Sequence, residues 1–339
     1  MQPARKRLGF FTRLLDDVGP GERFRLAMEQ IRHAERHGFD SAWVAQHHFD
    51  PTEGGLPSPF VFLAAVAART SAIRLGTGVV TLALEDPLRV AEDAAVLDLL
   101  SGGRLEMGLG TGGSATAYAA FGERSEERAA IFTAKLDRLL RAWKGAPLDG
   151  GARLSPQAPQ LRDRLWQASF SVAGAARAGR AGDGLMLSRT QPRPADAPGL
   201  PLAGIQLPMI EAYRAALPPG RAPRILASRS LFVADDRAEA LRLAEIGLRR
   251  AADRARALNL PFPEGPLESV VAASDLHLGR PEEVIESLRT DAALMQATDI
   301  AFQVHSADPP HPYILRSIEL IAEKVAPALG WEPAVVVPA

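Results

Sequence analysis

The chain is organised as a repeat, and the repeat restricts its fold more than any other feature. "LGFF" (Leu8–Phe11) is followed by a segment with Phe24, Met28, Ile31 and Glu35 at helical spacing and a stop at Gly38. "SAWVA" then precedes "PSPFVFLAAVAART", a helix opened by proline, and "AIRLGTGVVTLAL" reads as one long strand of the doubly buried kind. The helix "DPLRVAEDAAVLDLLSGG" follows, with Asp86 as N-cap, Pro87 at its first position and Gly102 near its C-cap, and "RLEMGLG" is the fourth strand. Strand–helix units joined by short turns imply parallel strands with right-handed crossovers. The later units are less regular. "EERAAIFTAKLDRLLRAW" carries Phe132, Leu136, Leu139, Leu140 and Trp143 on one face, and further helices start near Ser171, at Asp236 and at Pro281, the last helix ending near Pro327. The strands "RLWQAS", "GDGLMLS", "RILASRSLFVA" and "DIAFQVH" bring the total to eight. The expected architecture is therefore an α/β chain folded as a (β/α)8 TIM barrel with insertions after several strands. The insertions fall at Gly145–Gln160, Thr190–Pro201 and Pro261–Ser274, all rich in Pro, Gly and Ala, and residues 1–339 read as a single domain.

Several function classes drop out on composition. A formal charge of -1 gives no basic face for a polyanion, so nucleic acid is not expected as a partner. With Cys 0, disulfides, thiolate metal sites and a cysteine nucleophile are excluded, in keeping with a cytoplasmic setting. The basic lead "MQPARKRLGFFTRLLDD" has only a short apolar run, interrupted by Arg13, which argues against a signal peptide. No window approaches the roughly 18 apolar residues of a membrane span.

In a barrel of this kind the active site is built just past the C-terminal ends of the strands. The polar residues there are His47, His48, the "GTGG" after the fourth strand, "SFS" after the fifth, Ser188 and Arg189 after the sixth, and His305 after the eighth. Alternation along a strand lets at most one of His47 and His48 face the mouth. Those two and His305 are conceivable zinc ligands, but adjacent residues chelate poorly, and Lys6, Lys135, Lys144 and Lys324 lie at no strand end where a bridging lysine would be needed. No metal is expected. "GTGVV" (Gly76–Val80) puts glycine inside a strand, where either a bend or a closely approaching ligand requires it. "GLGTGGS" (Gly108–Ser114) could wrap a phosphate through backbone N–H groups, although it lacks a P-loop lysine and dinucleotide spacing. Ser169 and Ser171 stand at a helix start, suited to capping or to an anion.

Taken in order, "GFDSAWVAQHHF", the run from "PSPFVFLAAVAART" to "LSGGRLEMGLGTG", "ERAAIF" and "GDGLMLS" resemble the bacterial luciferase-like flavin-dependent monooxygenase family, most strongly over Gly38–Arg128. The resemblance implies a barrel that binds reduced FMN or, alternatively, a deazaflavin. It implies a reaction in which dioxygen oxidises a small organic substrate, with an NAD(P)H:flavin reductase as partner and a homodimer as the assembly. Its alternatives are a deazaflavin-dependent hydride-transfer oxidoreductase and a non-catalytic flavin-binding protein. Carried over by position, His47 is the catalytic histidine beside the flavin ring, suited to a group titrating near neutral pH. Gly78–Val79 falls where many members have a cis peptide behind the ring; Arg128, with Ser169, Ser171, Gly110 and Thr111, falls where the cofactor's phosphate and its surroundings are held. Three positions depart from the pattern: Thr111 replaces an arginine, Gly110 a cysteine, and Gln46 a glutamate.

Overall fold

A computed structural model describes residues 5–331. Ten parallel strands form one sheet: β1 (Arg7–Thr12), β2 (Ser41–Val44), β3 (Arg74–Thr77), β4 (Val80–Thr81), β5 (Leu105–Gly110), β6 (Leu165–Ala168), β7 (Gly184–Leu187), β8 (Ile225–Val233), β9 (Leu276–Gly279) and β10 (Asp299–Gln303). Eight of them close a barrel in the order β1-β2-β3-β5-β6-β7-β8-β10, and Asp299↔Leu226 through Gln303↔Ser230 complete the cylinder. Helices occupy the crossovers, which is the (β/α)8 arrangement that the repeat demands. No helix among the described residues is long and apolar enough to cross a membrane.

The anticipated caps form as read. Asp86 accepts from the N–H groups of Leu88 and Arg89 at the start of Pro87–Leu100, Asp236 caps Arg237–Ala257, and Gly102 follows the helix end with φ +65. The Arg104 guanidinium then donates to the carbonyls of Ala67, Thr70 and Ile73. It thereby ties the end of the preceding helix, Pro59–Ala67, to the start of β5.

Four features depart from the sequence expectation. The third strand is not continuous: a cis peptide at Gly78–Val79 separates β3 from β4, and a 3-10 turn at Leu82–Leu84 follows. The first half of β8 closes the barrel while Ser230–Val233 peels away to pair with β9, a strand too short to stand out as a periodic run. The Pro261–Ser274 insertion holds a helix, Leu267–Ala273. A further helix, Leu202–Ala216, follows the Thr190–Pro201 insertion and was masked in the sequence by its internal Pro208.

The barrel interior is plugged. Phe11, Trp43, Ala45, Trp166, Met186, Leu226 and Ala301 fill it, with the two indoles edge to face at 5.8 Å and 87°. A Cβ on Gly76 would collide with the Trp43 ring, and one on Gly184 with the Trp166 ring. Each strand glycine therefore makes room for an indole on the neighbouring strand. The indoles are held at their polar edges, Trp43 Nε1 donating to Ser41 Oγ at 2.9 Å and Trp166 Nε1 to Glu106 Oε2 at 2.7 Å.

Candidate active site at the barrel mouth

Above the plug lies a cavity of about 330 Å³, lined by the ends of β1, β2, β6, β7 and β10, by the β3–β4 break and by the segment after β5. Its size is ordinary for a cofactor or small-molecule pocket. Phe11, Ala45, Val79 and Ala168 give it an apolar floor continuous with the plug. Gly78 has no room for a side chain, because a Cβ there would stand 2.6 Å from the Phe11 ring. Gly110 lies under the same floor; a Cβ on it would meet Val79 Cγ2 at 2.8 Å. Glycine at both positions is thus explained by close packing around the cis peptide.

Both histidines line the cavity, not one. The strand ends at Val44, so the alternation argument stops applying before residue 47 is reached, and Phe49 adopts φ +63 just beyond. His47 N–H donates to the Leu56 carbonyl at 2.9 Å. Its Nδ1 is buried, has no hydrogen-bond partner among the described residues, and packs on Gly54 so tightly that a Cβ there would overlap the ring. A bare lone pair suits that contact better than an N–H, which assigns the proton to Nε2 and points a donor at the cavity. Burial, helped by Arg13, Arg254, His305 and His48, pushes the His47 pKa down to about 3. Burial therefore works against the expected neutral-pH titration and favours the neutral imidazole at His47. Burial also lowers the pKa of His48, whose ring sits edge-on to Phe121 at 4.9 Å.

Gln46, which replaces the family's glutamate, is used completely. Its Oε1 accepts from Thr81 N–H at 2.7 Å, and its Nε2 donates to the Pro57 carbonyl at 3.1 Å and to Glu85 Oε1 at 2.6 Å. The residue clamps the end of β2 to the chain on the far side of the cis peptide. The loop that follows is anchored from across the barrel by Arg254, 3.0 Å from Asp50 and 3.5 Å from Glu53.

The remaining predicted residues separate into a rim and a recess. Thr111 leads into Gly112, Gly113 and Ser114, which line the cavity, and Ser114 Oγ caps the short helix Ala115–Ala120 by accepting from Ala117 N–H. Tyr118 of that helix lines the wall and donates to the Thr111 carbonyl. Arg128 is exposed at the start of Arg128–Trp143, with one weak bond to the Ser125 carbonyl at 3.4 Å, and it lies within electrostatic reach of Tyr118. Ser171 caps Val172–Ala181 through Gly174 N–H, and Ser169 Oγ folds back onto the Ser171 backbone. Neither serine lines the cavity, but Ala168 and Phe170 beside them do.

His305 is recessed behind the wall. Its Nε2 accepts from Arg13 N–H at 3.2 Å while Nδ1 donates to Asp308, so it fixes the turn after β1. It does not join His47 and His48 in a ligand cluster. Among the described residues, the side chains drawn together as a metal site would need are His33, His37 and Glu319, near the opposite end of the barrel, where Glu35 caps the turn into β3. Residues that sequence reasoning passed over are Arg13, Glu53, Tyr118 and Gln303. Arg13 directly follows β1, the position that signals a mouth residue in a barrel.

A sequence profile of the family described as luciferase-like monooxygenase matches residues 8–298. The protein designated y4vJ of Sinorhizobium fredii is 30% identical, over 90% of this chain and 91% of its own length. An F420-dependent glucose-6-phosphate dehydrogenase of Nocardia farcinica is 32% identical over 52% of this chain and 55% of its own. The crystal structure of monooxygenase RslO1 from Streptomyces bottropensis superposes with a TM-score of 0.77 at 27% identity, over 95% of this chain and 99% of that one.

Proposed function

The chain belongs to the luciferase-like monooxygenase family, and from that premise we propose that it is the oxygenase of a two-component system that uses reduced FMN and dioxygen to oxidise a small organic substrate. The observation that carries this reading is the cavity itself, where the cis Gly78–Val79 floor faces a neutral His47. These residues fit a flavin. The floor is apolar, with Gly78 and Gly110 leaving out the side chains that would crowd it, and the rings of His47 and His48 line the wall.

When bound, reduced flavin supplies the electrons that activate dioxygen. The chain's own part is to hold and shield it. Val79 and Ala168 would support the ring, and the backbone after Thr111 with Arg128 would receive the phosphate, arginine providing charge-assisted bonds. His47 Nε2–H would donate to a ring edge or to a reacting oxygen, orienting it without giving up its proton. Glu85, Gln46 and Thr81 keep the floor in register with the histidines. Similarity to the monooxygenase structure, 27% identical at a TM-score of 0.77, exceeds that to the F420-dependent structures, 18% identical at 0.67 and 0.69 over a similar share of the chain, and this supports the oxygenase reading.

Two partners belong to the same proposal. A separate NAD(P)H:flavin reductase would supply the reduced cofactor. A second copy of the chain would cover the apolar face of Pro59–Ala67 and Pro87–Leu100, where Val61, Val96, Leu99 and Leu100 are exposed.

The test is anaerobic titration of the protein with reduced FMN, followed by fluorescence and absorbance, in wild type and in Arg128→Ala. Saturable binding at micromolar FMN, weakened about tenfold or more in the variant, is expected for loss of a charge-assisted phosphate contact. No binding by the wild type at tens of micromolar overturns the reading. Binding of reduced deazaflavin in preference to FMN, with no flavin-dependent oxygen uptake, replaces it with hydride transfer.

A further inference from the structure

The cavity has two chemically distinct halves. The half formed by β2, the β3–β4 break, β5 and β6 holds the histidines, the apolar floor and the small-residue segment. The opposite half, formed by the ends of β1, β7 and β10, holds two arginines, Arg13 after β1 and Arg189 after β7. Arg189 is 8% exposed and makes one side-chain bond, from its guanidinium to Ser230 Oγ at 3.0 Å. No carboxylate forms an ion pair with it among the described residues. The Arg13 guanidinium has neither hydrogen bond nor ion pair among them, since its loop is fixed through its backbone N–H by His305.

The nearby acids are already committed. Glu53 in the cavity wall faces Arg254, Asp308 accepts from His305, and Asp275 pairs with Arg193. The two guanidiniums also feel each other: burial first, and then Arg13, push the Arg189 pKa down to about 9. None of their unpaired nitrogens is sealed inside protein, so these donors stand open to an anion entering the cavity. The fork geometry of a guanidinium matches a planar or tetrahedral oxyanion.

We propose that Arg13 and Arg189 form the receptor for an anionic headgroup, a carboxylate or a sulfonate, on the organic substrate. This deepens the functional reading and rests on it in one respect: the flavin fills the histidine half and leaves the arginine half to the substrate. The headgroup docks between the guanidiniums, and the rest of the molecule extends over the apolar floor towards His47. The enzyme's substrate is then an amphiphilic acid, not a neutral hydrocarbon or alcohol.

The experiment uses three eight-carbon probes that share a tail: octanoate, octane-1-sulfonate and octan-1-ol. Each is titrated calorimetrically into the FMN-loaded protein and into the FMN-free protein. At least one anion should bind roughly ten- to a hundredfold more tightly than the alcohol, the range set by charge-assisted hydrogen bonds, and the tighter anion names the headgroup. Arg189→Met and Arg13→Met should each remove most of that preference while leaving octan-1-ol and FMN binding as they were. Arg189→Lys should restore part of it and guards against misfolding of the methionine variant. Equal binding of all three probes by the wild type, or a preference that survives in both methionine variants, overturns the proposal. Loss of FMN affinity in those variants also overturns it, because the pair would then hold the cofactor's phosphate. If the wild type binds no FMN, the functional reading fails separately, and the FMN-free titration still decides the arginine site.

Discussion

Acidification should destabilise this protein well above the usual carboxylate range, and His47 should be a principal cause. Its pKa falls from 6.5 to about 3 on folding, and that of His277, which bonds Ser287 at 2.7 Å beside β9, falls to about 4. At pH 5 each ring is neutral in the folded chain and protonated in the unfolded one. The unfolded state then binds more protons, so stability drops as pH falls through 6.5 and keeps dropping until the folded values are reached. Between pH 6.5 and pH 5 the gap is about 1.5 pH units at about 1.4 kcal/mol each, or about 2 kcal/mol per ring and about 4 kcal/mol for the pair. That is a large part of the roughly 5–15 kcal/mol typical of a folded protein. Asp183 and Asp299, held above the ordinary carboxylate range by burial, act in the opposite sense, so the decisive quantity is a difference between variants. Urea unfolding at pH 7.5 and pH 5.0 should show a stability loss in the wild type that shrinks by about 2 kcal/mol in His47→Gln, the share worked out above. An unchanged loss in the variant, or an imidazole proton resonance of His47 titrating with a midpoint near 6.5, refutes the argument. The functional corollary is that no limb of the pH–rate profile between pH 5 and pH 8 belongs to His47.

Three further outcomes follow from the packing. Gly76→Ala or Gly184→Ala forces a methyl into an indole and should cost about 1–3 kcal/mol, as overpacked cores do, read as a lower urea midpoint; unchanged midpoints would contradict the plug geometry. Gln46→Glu sets two carboxylates against each other where Gln46 now donates to Glu85, and should cost about 1–3 kcal/mol for the lost donors; pairing it with Glu85→Gln should recover part of that, and full tolerance of the single change would show that the clamp is dispensable. Leu99→Glu should convert a dimer to monomer in sedimentation analysis if the exposed face of Pro87–Leu100 is the subunit contact, and a monomeric wild type would dismiss that contact.

The barrel was legible because periodicity is a one-dimensional property: apolar runs and helical faces alternate in the order in which the strands later stand side by side. His47 was legible for a related reason, since the end of a strand locates the mouth. Its protonation was not, because the burial that suppresses it, and the Arg13, Arg254 and His305 that add to it, depend on parts of the chain far from His47 in sequence. Gly76 read as a bend or a ligand approach inside a strand, and only the structure shows that it, like Gly184, makes room for an indole, Trp43 and Trp166 respectively. The strand β9 and the helix Leu202–Ala216 were hidden by brevity and by an internal proline. Arg13 was read only as a break in an apolar run, although its place directly after β1 was the cue that mattered.

The crossed indoles have a consequence for traffic. Because Trp43, Trp166 and their neighbours stopper the cylinder completely, nothing can pass along its axis, and whatever reaches His47 must come and go through a single doorway. Any cofactor and any substrate would therefore have to share that entrance, an arrangement imposed by two tryptophans that do not themselves line the cavity.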